Sequence, residues 1–240
     1  MPKYLDYTGL EHLIDKNDAR YVRQVEGKGL STNDFTDEYK QMIDDLSYTK
    51  IAVSSMSATN SSNEIGATVT NTVVNWALNK EPKTQKIKFS SETEEILGTD
   101  VRSKSYTGKS VTSNSIIKLT VTDERDAEVS RQVTIQFQPK VYYGVSSDPS
   151  VLDSSAINAL TGVLASNKAR TFSANAGAGE YIVYIIPSSF GTPTFNVGGF
   201  DGGFVKTKTL AHTNASGYEQ NYDVWQSVNA ALGETSVTVK

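Results

Sequence analysis

The chain has 240 residues, 38% of them hydrophobic and 21% charged, with a net charge of −4, no cysteine and two histidines. That length holds one large domain or two ordinary ones, each with a sizeable core. No segment carries the basic excess that phosphate binding requires, which excludes nucleic acid as the main partner, and the missing cysteines exclude disulfides and thiolate metal sites.

The opening residues MPKYLDYTGLEHLI show no basic region followed by an apolar stretch, so no secretory signal is expected, and a reducing cytosol suits the composition. The longest dense apolar run, Tyr181 to Ile186, is too short to cross a bilayer, so no membrane insertion is expected. Residues 1–47 are predicted to form a helical anchoring or oligomerisation segment. Thr8 and Glu11 fit a capping box, and Leu10, Leu13 and Ile14 make a short apolar stripe running into the polar DKND. A second helix is capped by Thr36, with Asp37 and Glu38 favouring the positive end of its dipole and Tyr39, Met42, Ile43 and Leu46 at helical spacing. The turn-rich VEGKGLSTND joins the two. Helices this short do not close a core alone, so their stripes need burial against the following domain, other copies of the chain or a partner. The polar SSMSATNSSNE before the first strand favours burial between molecules, which makes the seven stripe residues the candidate oligomer or anchor contacts.

Residues 48–140 read as one immunoglobulin-like β-sandwich. Thr72, Val74, Trp76 and Leu78 alternate along a strand, and NKEPK turns into a strand with Ile87 and Phe89. Ile117, Leu119 and Val121, then Val129, Val133, Ile135 and Phe137, keep one odd-numbered phase interrupted by Arg131. Asp123 to Asp126 between them predict a tight hairpin with a solvated tip. Trp76 is placed at the centre of the core facing this hairpin.

Residues 141–240 are predicted as a second β-sandwich domain carrying one helix, which gives a mainly β fold overall. Asp148 and Pro149 mark a turn, and Asp153 caps a helix with the stripe Ile157, Leu160 and Leu164. Strands are expected at 169–174, 180–186, 204–212, 218–228 and 236–240. Phe190, Phe195, Phe200 and Phe204 lie in or beside the glycine-rich SSFGTPTFNVGGFDGGF. Rings on such a loop either plug the end of the sandwich or face outward as receptor or partner contacts.

Motifs with chemistry fail their geometric requirements. The GKS at Gly108 to Ser110 lacks the first glycine of a phosphate loop, since Ser103 stands there, and is read as an exposed hairpin turn. Asp15 to Glu26 opens like a calcium loop but has Ala19 and Arg20 where a ligand and the glycine belong. His12 and His212 fall on different predicted domains, without a metal or triad signature. Glu92, Glu94 and Glu95, an imaginable glycosidase set, read as a solvated rim. No cofactor, metal or catalytic residue is expected.

Val25 to Lys40, VEGKGLSTNDFTDEYK, resembles a segment that recurs in tail-fibre and baseplate-associated proteins of tailed bacteriophages, with Phe35 in place of tyrosine. Asn63 to Pro82 is similar to the first strands of immunoglobulin-like modules in such virion proteins, and YIVYIIPSSFGTPTFNVGGFDGGF to their last domain. The resemblance implies a non-enzymatic virion structural protein, a fibre or host-attachment component made in the bacterial cytoplasm. It would be homo-oligomeric, with a trimer favoured, and would contact other virion proteins and a host cell-surface glycan. The rival readings are a carbohydrate-binding or adhesion module of a bacterial surface, and a tail-associated glycan-degrading enzyme.

Overall fold

The computed structural model describes residues 7–20 and 37–240, and the chain divides into two compact units, Met1–Lys50 and Ile51–Lys240. The first unit holds α1 (Tyr7–Arg20) and α2 (Asp37–Ser47). Helix α1 is already formed at Tyr7, so Thr8 lies inside it and does not cap it, and the helix runs on through the polar DKND. The link from Val25 to Asp34 and the cap Thr36 lie outside the described residues. In α2, Asp37 and Glu38 occupy the first turn, where they oppose the dipole, and Lys40 Nζ reaches Asp37 Oδ1 at 3.0 Å.

The second unit is built from two β-sandwiches with separate cores. In the first, β1 (Val53–Ala58), β2 (Ser62–Glu64), β3 (Val69–Leu78), β4 (Thr84–Phe89), β5 (Glu95–Leu97), β6 (Ser103–Val111), β7 (Ser115–Thr122) and β8 (Glu128–Gln138) form two sheets. One has the order β1-β3-β6 and the other β2-β8-β7-β4-β5. Alternation decides which side chains meet between them. Val74 and Trp76 from one sheet pack against Ile87, Phe89, Ile117, Leu119, Val121, Ile135 and Phe137 from the other, all buried.

Trp76 therefore sits in the core facing the β7–β8 hairpin. Its indole Nε1 donates to Gln85 Oε1 at 3.3 Å, while Gln85 Nε2 donates to the carbonyls of Gly98 and, at 3.0 Å, Val101. Arg131, directly opposite Leu119, breaks the apolar phase for a visible reason. Its Nη1 donates to the carbonyls of Val53 and Ser54, both at 2.9 Å, beside a register shift in the edge strand β1.

The hairpin tip differs from the expected solvated turn. Asp123 is fully buried: Oδ1 accepts from the amides of Arg125 and Ala127, both at 3.0 Å, and Oδ2 from the amide of Ile51 at 3.1 Å. Gly108 to Ser110 is likewise no hairpin turn. It is a bulge within β6, where Val69 pairs Val111 but Asn71 pairs Thr107, and Gly108 takes φ +68°.

Pro139 alone separates β8 from β9 (Lys140–Ser146), which starts the second sandwich. A 3-10 turn at Pro149–Val151 and α3 (Ser154–Asn158) follow, then β10 (Thr161–Leu164), β11 (Arg170–Ala176), β12 (Tyr181–Pro187), β13 (Phe195–Val197), β14 (Phe200–Asp201), β15 (Phe204–Thr213), β16 (Glu219–Ser227) and β17 (Gly233–Val239). The sheets run β10-β9-β12-β16-β15 and β11-β17-β13-β14.

Asp153 caps α3 through Ala156 N at 2.8 Å, but the helix ends at Asn158 and Leu164 belongs to β10, not to a helical stripe. The apolar run of β12 is buried on both faces. Ile182, Tyr184 and Ile186 meet Phe172, Phe195 and Val237 of the opposite sheet, while Val183 and Ile185 pack under Leu152 and Ile157 of the α3 segment.

Candidate functional site

The apolar stripes of the two helices face solvent. Leu10, Leu13 and Ile14 of α1 and Tyr39, Met42, Ile43 and Leu46 of α2 are each between 47% and 82% exposed, and no residue of α2 is buried. On a 3.6-residue period, positions 39, 42, 43 and 46 share one side of α2. In α1, Tyr7 stands one turn before Leu10 and two before Ile14, and is 78% exposed. The sequence reading missed Tyr7, although its spacing of three and seven residues is the signal that marks a stripe. Around Met42 and Leu46, the residues Asp37, Glu38, Gln41 and Asp45 complete a shallow concavity of acidic rim and apolar floor.

The C-terminal rings do not act as a set. Phe195 is 3% exposed and stacks on Phe204 with centroids 4.1 Å apart, with Tyr184 edge-on at 5.9 Å and Trp225 at 5.7 Å. Phe190 and Phe204 are half-buried against the same cluster. Phe195 is therefore not a partner contact, and Phe190 and Phe204 serve the core.

Phe200 stays outside, 81% exposed. It follows the two-residue turn of the β13–β14 hairpin, in which Val197 pairs Phe200 and both Gly198 (φ +59°) and Gly199 (φ +91°) take left-handed backbone. A turn of this hand requires such residues.

The acidic set of the first sandwich is a salt-bridged rim. Glu92 pairs with Lys109 at 2.6 Å, Glu95 with Lys104 at 2.5 Å and Glu94 with Lys86 at 3.6 Å. Lys109 also lies over the rings of Phe89 and Tyr106, so these pairs shield the sandwich's open side. Burial, with the charges of Glu95 and Glu92, pushes the Tyr106 hydroxyl up to about 12. Among the described residues no group of three or more His, Asp or Glu side chains is placed to hold a metal ion. Nor is any helix among them long and apolar enough to cross a membrane.

Titratable side chains converge at the seam between the two sandwiches. Glu64 of β2 meets Lys140 of β9 at 2.9 Å, and the Tyr142 hydroxyl lies 3.3 Å from Glu64 Oε1, Asn158 Oδ1 and His212 Nε2 alike. Tyr222 donates its hydroxyl to Lys140 O at 2.9 Å, and the His212 ring meets Tyr222 and Tyr142 edge-on at 4.8 and 5.2 Å. Asn214 Nδ2 donates to Ile65 O at 2.7 Å. Gly66, at φ +91°, leaves no room for a side chain, since a Cβ there would lie 2.5 Å from Tyr218 Cβ.

Burial pushes the Tyr222 hydroxyl up to about 12 and raises Tyr142 further, so both phenols stay neutral. Burial lowers the His212 pKa, opposed in part by Glu64. With His212 and Tyr142 at 0% and 2% exposure, this cluster offers a substrate no approach, and what it does is tie the sandwiches together. Sequence reasoning missed it because Glu64, Tyr142 and His212 stand 70 or more positions from one another and no local spacing joins them.

No protein-family model matches the chain, and neither does any curated protein.

Proposed function

We propose that this protein is a non-enzymatic virion structural protein, a fibre or host-attachment component of a tailed bacteriophage that assembles as a homo-oligomer, most simply a trimer. The observation that carries this reading is the pair of solvent-facing apolar stripes on α1 and α2, in a unit distinct from the β body. Helices of 14 and 11 residues are marginal alone, and burying such stripes against copies of the chain or against other virion proteins supplies the missing stability.

The first sandwich suits an immunoglobulin-like module, with three strands facing five and the sandwich's last strand, β8, beside β7 and the short β2. A body of two such layers, whose converging polar groups are spent on its own seam, is suited to bridging. Phe200, held out by a glycine turn, is the ring placed to meet a host glycan or a neighbouring subunit.

Removing residues 1–47 is expected to abolish incorporation into particles while leaving the β body folded. Incorporation at the level of the full chain would defeat the role given to the helices. Release of reducing ends from capsular or wall polysaccharide would favour the glycan-degrading alternative.

A further inference from the structure

We propose that the seam between the sandwiches is an acid-sensitive joint, closed while His212 is a neutral ring and released when it takes a second proton. The geometry sets the tautomer. Nδ1 of His212 is buried without a hydrogen-bond partner, whereas Nε2 lies against the Tyr142 hydroxyl. Proton on Nε2 leaves Nδ1 as an orphan acceptor, and the single Tyr142 proton is then donated to Glu64 or Asn158. A second proton makes Nδ1 a buried donor with no protein acceptor and places a charge in a fully buried ring, the more expensive deficit.

The groups facing His212 do not relieve it. Tyr142 and Tyr222 are neutral, Asn158 has no charge, Ser154 Oγ is taken by the Thr213 amide at 2.9 Å, and Asp153 is bound to the Ala156 amide. Glu64 is the carboxylate that attracts the imidazolium, but Lys140 already opposes its charge. On the solvent side Glu219 reaches Thr213 Oγ1 at 3.4 Å. Relief comes by opening, which lets water reach Nδ1, and opening separates the contacts that cross the seam beside it, Glu64 with Tyr142 and Lys140 and Ile65 with Asn214.

The sign follows from linkage. The closed form binds a proton on His212 less readily than the open form, whose imidazole sits near its ordinary 6.5. Closure is complete above about pH 6.5, and below it the opening constant rises about tenfold per pH unit until the closed form also protonates.

Hydrogen exchange on the full chain, corrected for intrinsic rates, reads this at the Asn214 side-chain amide, bonded to Ile65 O across the seam, and at the Thr213 amide beside His212, bonded to Ser154 Oγ, against the core amides of Leu119 and Ile185. From pH 7.5 to 5 the seam amides should lose at least tenfold protection in the wild type and stay level in His212→Gln, with the core amides unchanged in both. Equal loss in His212→Gln, undiminished seam protection in the wild type, or core amides failing together with the seam would each overturn the joint. Should His212→Gln not fold, proton NMR of the wild-type His212 ring decides: its titration must coincide with the seam's loss of protection, and titration without that loss defeats the proposal.

Discussion

Asp123 is a charged side chain placed where alternation, not charge, directs it. It continues the odd-numbered phase of Ile117, Leu119 and Val121, and that phase points into the core. The sequence therefore carried the signal, and treating four charged residues as one solvated tip hid it. Replacement by alanine orphans three backbone donors, each worth about 1–3 kcal/mol when buried unpaired. Asp123→Ala should lower unfolding free energy by about 3 kcal/mol or more in denaturant titration, and an effect under about 1 kcal/mol would show the turn holds without it.

Trp76→Ala removes the largest core ring and leaves Gln85 Oε1 without its donor, so a loss of about 3–5 kcal/mol is expected from a thermal melt. Gln85 shares the inward phase of Ile87 and Phe89, so its burial was legible too, whereas its partners at Gly98 and Val101 were not. Those partners depend on how the loop after β5 returns, which no local pattern encodes.

At the scale of elements, period-two strands were the legible part. The expected strands at 169–174, 180–186, 204–212, 218–228 and 236–240 match β11, β12, β15, β16 and β17 within a few residues. The helix after Asp153 was overextended because Ile157, Leu160 and Leu164 fit a helical stripe as well as a helix end followed by a strand, and apolar runs this short do not separate the two. Thr161 and Val163, β-branched and flanking Gly162, favoured the strand. The Gly-Gly pair of the β13–β14 hairpin carries its turn signal, but β13 and β14 are three and two residues long, too short for alternation to separate them from a glycine-rich loop. The helical stripes yield a prediction of their own. Leu46→Lys, at a position 82% exposed, should leave the thermal midpoint of the β body unchanged and lower the mass of any assembly. A variant that assembles like the wild type would take Leu46 out of the contact.

For the molecule as a whole, the unit Ile51–Lys240 joins its sandwiches through one linking proline and a polar seam, and the unit Met1–Lys50 displays apolar stripes. None of the seam could be read from sequence, because Glu64, Tyr142 and His212 are brought together only by the pairing of β2 with β8 and of β9 within its sheet. The stripes could be read, since helical spacing is local. Sedimentation equilibrium of the full chain beside a form lacking residues 1–50 tests the central claim, assembly through the helices, most directly. The account predicts a mass about three times the 26.1 kDa of one chain for the first and a folded monomer for the second. A full-length monomer at micromolar concentration, or an oligomer that survives the deletion, would contradict it.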